Sequence, residues 1–573
     1  MPQSDEIARS YVEDSSRLDP VEALTRGDLR YAGELTDYSP AGEEARADRA
    51  RRALQSVRAD SGSDPSMEIG RTAMVDRLQV VVDRFDAGSW MRGVSVFGPQ
   101  LHIRGSFDLM RQDDNADWSL IAQKLELVPG AIIGFERSLR EGMQRQLVSS
   151  RRQALACAAQ TRAWSGAETG AGFFTVLVGK YQGGDTNLAE RLRAGARSAG
   201  AAYWGLTEFL EKEYAPAASR DDGVGAERYA LAVRQFLGTY LDLDEAYSFG
   251  WSELASIEHE MTITAERIAP GQGVAGAVRV LEHDPARAIE GEAKFLAWNQ
   301  EFLDRTMAEL NGTHFNIPGP VLKVEAMIAP PGGSPAMYYT PPALDFSRPG
   351  RTWYPTLGRT RFPLWNEVST AYHEGVPGHH LQLAQTYYLA AGLHPFQTLL
   401  GGVSGHTEGW ALYAERLMGE LGYLENPDYR LGLLASQAMR AARVVVDTGL
   451  HLKLKLPRGQ GFHPGEQWSW ELAVEFMMQK SLRSRGFCAG EVDRYLGVPA
   501  QAISYKLGER VWLETRAAAV SSWGNRFVLK EFHRRALGLG CVGLGQLRSE
   551  MARLGPEEMA RNAVTSAQTR RPD

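Results

Sequence analysis

Apolar residues recur every three or four positions through most of this chain, a period that predicts helix. "PAGEEARADRARRALQSVRAD" (40–60) and "RTAMVDRLQVVVDRFDAG" (71–88) set them among strong helix formers, the second stopping at Gly88. The same texture runs through residues 117–164 and 195–216, with Gly and Pro as punctuation. One region breaks the period. Within residues 321–357, "VLKVEAMIA" alternates faces and "RTWYPTL" is rich in β-formers, so a small sheet with a Gly/Pro loop is expected. The pattern predicts a mainly α protein in a single unit over 1–573. A helical shell spans 1–320, the sheet 321–357, two motif-bearing helices 365–420 and a C-terminal helical part 430–573. The tail "TSAQTRRPD" (565–573) is expected to fray.

Composition narrows the class. The 573 residues are 43% hydrophobic and 23% charged, an ordinary globular balance. A formal charge of −7 offers no basic face for nucleic acid. Cys157, Cys488 and Cys541 are odd in number and far apart, against a disulfide framework or a thiolate metal site. The acidic start "MPQSDEIARSYVEDSS" has no apolar signal core, and no run approaches the roughly 18 apolar residues of a membrane span. A cytoplasmic, enzyme-sized protein is expected, without nucleic-acid or membrane partners. "GQGVAG" (271–276) matches G-x-G-x-x-G, but it follows a polar helix rather than the buried strand that dinucleotide binding requires.

The candidate chemistry lies in "STAYHEGVPGHHLQLAQTYY" (369–388), which packs three of the twelve histidines into eight residues. His373 and Glu374 begin like a zinc-protease H-E-x-x-H helix, but the second histidine is late. At about 100° per residue, six steps put His379 on the wrong face of a regular helix. Seven steps restore the face for His380 but climb about 10.5 Å. Two ligands each about 2 Å from one ion cannot be that far apart. Pro377-Gly378 supplies a remedy, since a bulge there would return His379 to the phase of an i+4 ligand and turn His380 elsewhere. Geometry therefore favours His379 over His380. A third ligand is expected from Glu408 in "GGVSGHTEGWALYAERLMGEL", in the first turn of the next helix. The plainer alternative is that His406 and Glu408 only cap that helix.

These motifs resemble the bacterial "domain of unknown function 885" family of predicted metallopeptidases, nearly end to end. The resemblance rests on "RLDPVEALTRGDLRYAGELTDYSP", "MYYTPPALDFSRPG", "YHEGVPGHHLQ", "HTEGWALYAERL", "MRAARVVVDTGLH" and "VPAQAISYKLG". Such proteins look like distant relatives of the thimet-oligopeptidase and Taq-carboxypeptidase zinc peptidases, in which a helical shell surrounds a deep channel. The resemblance implies Zn²⁺ on His373, His379 and Glu408, with Glu374 as general base. It implies an oxyanion donor opposite the metal, Tyr505 first and His451 second, although Tyr505 could simply pack a helix. It also implies that Tyr338 and Tyr339 form an extended edge along the substrate.

Arg440, Arg443 and Asp447 fall at helical spacings on an apolar helix. An arginine there needs an anion, either a peptide carboxylate or Asp447 itself. The expected function is a zinc hydrolase acting on an amide in a short peptide or peptide-like molecule. Two rivals remain open: a biosynthetic enzyme using the same site, and a metal-free helical binding protein.

Overall fold

Helix forms over the periodic segments of the chain in the computed structural model, which describes residues 3–60, 67–329 and 336–554. Pro40–Ala59 starts at Ser39, whose side chain accepts from the Gly42 amide, and Glu68–Asp86 follows. Gly88 then takes φ 68°, a left-handed conformation open to a residue without Cβ. The tail at 565–573 lies outside the described residues.

The apolar faces gather into several cores. Asn115–Gln144, Arg151–Ser165 and Thr186–Phe209 enclose one around Leu125, Phe135 and Tyr203. Leu243–Ile268 and Pro427–His451 enclose another around Trp251, Leu254 and Val445. Ser404–Glu420 and Ser504–Trp523 cross where glycine meets glycine: a Cβ on Gly409 would stand 2.4 Å from the carbonyl carbon of Gly508. Trp410, Tyr413 and Trp512 fill the space beside that crossing.

The expected sheet is present. Val324–Ile328 runs parallel to Gly350–Tyr354, and Tyr338–Thr340 pairs antiparallel with the latter as an edge strand. Part of the Gly/Pro loop, 330–335, is outside the described residues. A second pairing was not expected: Ala288–Glu290 runs antiparallel to Arg361–Pro363. Strands of three residues are too short to show an alternation, and stacking of Phe295 on Phe362 at 4.1 Å holds them. The glycines at 271–276 follow the helix Leu243–Ile268, not a strand, so the dinucleotide fingerprint lacks its context. Among the described residues no helix is long and apolar enough to cross a membrane.

Both halves of the chain line a cavity of about 1840 Å³. Tyr38, Arg92 and Arg228 reach it from the N-terminal half, and His373, Glu408 and Tyr505 from the C-terminal half.

Candidate metal centre

The histidine motif resolves its awkward spacing by ending one helix and beginning another. Glu367–Glu374 carries His373, and His379 opens His379–Tyr388. The expected bulge in a continuous helix is replaced by a turn over 375–378, because Pro377 has no N–H to extend the ladder. The Gly378 amide donates to Tyr372 O at 3.1 Å and the His380 amide to Gly375 O at 3.1 Å. The chain folds back so tightly that a Cβ on Gly378 would stand 2.0 Å from His373 O. The Trp410 indole N–H clamps the turn from the next helix, donating to Pro377 O at 2.8 Å.

This fold-back brings His373, His379 and Glu408 together, with one donor atom from each inside a mutual 4.8 Å. Glu408 Oε2 lies 3.3 Å from His373 Nε2 and 3.6 Å from His379 Nε2. Two donors about 2.0–2.1 Å from a tetrahedral zinc stand about 3.3 Å apart, a spacing that both Glu408 distances approach. Glu408 Oε2 is buried and faces no polar group other than these two imidazoles, a setting that suits a shared cation. Glu408 is the fifth residue of its helix rather than part of the first turn, and no side chain caps that helix. The capping alternative for His406 and Glu408 therefore fails.

Glu415 completes the arrangement. Its Oε1 accepts from His373 Nδ1 at 2.7 Å, which turns Nε2 toward Glu408 and His379. Ser369 Oγ donates to the other oxygen at 2.5 Å. Burial alone would depress the His373 pKa, but hydrogen bonds to Glu408 and Glu415 raise it to about 9. Burial likewise opposes ionisation of Glu408, yet its bonds to His373 and His379 hold it well below the carboxylate range. The pocket thus favours a positive charge between these groups. Glu374 differs: burial raises its pKa, and Glu408 adds to the rise against the pull of His373 and His379.

The sequence matches, over residues 20–551, a family described as "Bacterial protein of unknown function (DUF885)". The chain belongs to that family. Two solved structures share the fold of this DUF885 protein. One, called a "putative lipoprotein", is from Colwellia psychrerythraea; its TM-score is 0.80 at 21% identity, covering 96% of this chain and 99% of that one. The other, a "putative lipoprotein of unknown function" from Shewanella oneidensis, has a TM-score of 0.72 at 16% identity, covering 96% and 100%. At these identities the likeness establishes the fold alone. No curated protein matches the sequence.

The remaining candidates of the DUF885 chain divide. His380 is fully buried, bonded through Nδ1 to the Tyr339 hydroxyl at 2.9 Å and through Nε2 to Val321 O at 2.8 Å, so it has no free donor for an ion. Tyr338 and Tyr339 both line the cavity, Tyr338 stacked on Trp353 and Tyr339 with its hydroxyl committed to His380. Tyr505 also lines the cavity, with the Arg443 guanidinium 4.8 Å from its ring centre. Burial raises its pKa, and the charge of Glu408 raises it further, so the phenol stays protonated.

His451 is not brought to the cavity. The Val224 amide lies 3.4 Å from its Nδ1, and its Nε2 lies 3.0 Å from Tyr495 O, leaving no nitrogen for an oxyanion. Burial depresses its pKa to about 4. Of the two anions expected for the arginines, Asp447 is excluded, since neither pairs with it. Arg440 meets Glu415 at 3.2 Å, and Arg443 meets Glu491 at 2.7 Å. Asp447 instead accepts from the Tyr229 hydroxyl at 2.6 Å and the Ala500 amide at 3.0 Å, while burial pushes it to about 7. Glu415 and Trp410 went unassigned in the sequence, although Glu415 is an acid in the buried run "WALYAERLM", two helical turns after Glu408.

Proposed function

We propose that this DUF885 protein is a zinc-dependent hydrolase that cleaves an amide bond in a short peptide or peptide-like molecule. The observation that carries the proposal is the cluster of His373, His379 and Glu408 beside the buried Glu374, all four lining one cavity. A zinc ion held by the first three would acidify a water molecule and polarise a carbonyl.

The chain's own residues supply the rest. Glu374, its pKa raised by burial, accepts the proton of the attacking water and passes it to the leaving amine. Tyr505, kept neutral, donates a hydrogen bond to the developing oxyanion. Glu415 fixes the tautomer and tilt of His373, and Arg440 holds Glu415 in its charged form. A volume of about 1840 Å³ suits a short chain rather than a folded protein. The helical-peptidase likeness and a channel for substrate belong to the same proposal.

The test is the metal content of the purified protein, followed by turnover of a peptide library read by mass spectrometry. One zinc per chain is expected, lost in His373→Ala and retained in Glu374→Gln. The Glu374→Gln protein should lose at least about 10²-fold in turnover. A protein that takes up no metal, or a Glu374→Gln variant of full activity, overturns the proposal.

A further inference from the structure

Most arginines that line the cavity are neutralised within the fold. Arg46 meets Glu43 at 2.8 Å, Arg359 meets Glu367 at 3.8 Å, Arg494 meets Glu491 at 2.9 Å, and Arg440 and Arg443 are paired as described. Arg84, Arg92, Arg228 and Arg483 line it with no carboxylate within 4 Å among the described residues. Two of these still feel an acid: Glu43 acts on Arg84, and Glu367 on Arg483.

Arg92 and Arg228 have no such support. Beyond burial, the charged or titratable groups acting on Arg228 are Arg92 and Tyr214, and on Arg92 Tyr214 alone. Tyr214 is a phenol whose pKa burial raises, so it carries no charge at neutral pH. The acids lining the same cavity nearby in sequence, Asp221 and Asp222, are held by Lys453 at 2.6 Å and Arg152 at 2.9 Å. The guanidinium of Arg92 makes one long bond, to Ala87 O at 3.4 Å, and its backbone carbonyl is fixed by Ser149 Oγ at 2.8 Å. Two partly buried guanidiniums that share one cavity wall and lack a carboxylate partner are unfavourable unless an anion in the cavity neutralises them. A planar fork of donors also matches a carboxylate or phosphate group.

We propose that Arg92 and Arg228 form an oxyanion-binding site in the cavity wall, which holds a carboxylate or phosphate group carried by the substrate. Arg228 lies on Ala226–Leu237, and Leu231, Ala232 and Gln235, three to seven residues on, line the same cavity, so that face of the helix is turned inward. Assigning the anion to the substrate rests on the hydrolase proposal; the binding itself does not. Arg440 and Arg443, internally paired, are thereby replaced as the anchors of an acidic substrate group.

The test is calorimetric titration of metal-stripped, full-length protein with glutarate and, separately, inorganic phosphate. Saturable binding of at least one is expected, and which one binds distinguishes carboxylate from phosphate. The affinity should fall at least about tenfold in Arg228→Gln and further in the Arg92→Gln/Arg228→Gln pair. Circular dichroism checks that the variants fold, and the Arg92→Lys/Arg228→Lys pair, which keeps the charge, should retain weaker binding. His373→Ala should bind the anion as the parent does. Absence of saturable binding by either anion, binding unchanged in the double Gln variant, or binding abolished by His373→Ala would each overturn the site, and none bears on whether zinc binds.

Discussion

Arg440 Nη2 stands 3.2 Å from the same Glu415 oxygen that bonds His373 Nδ1. One buried carboxylate therefore orients the His373 imidazole and neutralises an arginine that would otherwise face the cavity alone. Both partners depend on its charge.

Glu415→Gln should consequently weaken zinc binding by about 10–100-fold while leaving all three ligands in place. Competition against a chromophoric chelator measures this. The same variant leaves Arg440 without its counter-charge, and loss of one partner from a buried pair costs about 3–5 kcal/mol in urea unfolding. An unaltered zinc affinity would remove Glu415 from the centre.

The two adjacent histidines should separate cleanly. His379→Ala is expected to lose stoichiometric zinc by elemental analysis, whereas His380→Ala keeps it. His380 holds the Tyr339 hydroxyl and Val321 O, so its removal should instead cost about 1–3 kcal/mol of stability. Loss of zinc in the His380 variant would exchange their roles.

Gly378→Ala probes the turn. The added methyl would collide with His373 O at 2.0 Å, so the turn must open and carry the His379 ring away. Zinc stoichiometry should drop well below one per chain in the folded variant. Full occupancy would mean that the backbone can yield there.

Lys124 provides a pH prediction remote from the metal. It is 0% exposed in the N-terminal core, its ammonium without a hydrogen-bond partner and 5.7 Å from the Phe107 ring centre. Burial lowers its pKa to about 8, against about 10.4 when unfolded. Below pH 8 both states are charged and the native state bears the whole burial penalty. Between about pH 8 and 10.4 the unfolded state binds more protons, so this residue's contribution makes stability rise with pH. Lys124→Met should be more stable by up to about 3 kcal/mol at pH 7, with the advantage shrinking toward pH 10. Denaturant melts of both proteins across that range measure it, and a constant difference would contradict the assignment.

Much of this was legible in the sequence, because helical periodicity and ligand chemistry are local. The helices, the strands Val324–Ile328 and Gly350–Tyr354 and the grouping of His379, rather than His380, with His373 and Glu408 followed from period and phase. What escaped was set by tertiary partners. A bulge and a two-helix turn place His379 alike, and only the Trp410 clamp and the helix breaks distinguish them. His451 shared a helix with cavity residues, but its side chain points to Tyr495 and Val224, which no spacing rule announces. The arginine pairs failed similarly: Arg440 and Arg443 found Glu415 and Glu491 on other helices, not the nearest acid along their own.

The cavity draws its wall from residues as distant in sequence as Tyr38 and Tyr505. Without Tyr38, Arg92 and Arg228 the candidate ligands would lose the facing wall that selects or orients a guest. Shortening the protein from its front end should therefore erase discrimination between molecules before it disturbs the grouping of His373, His379 and Glu408.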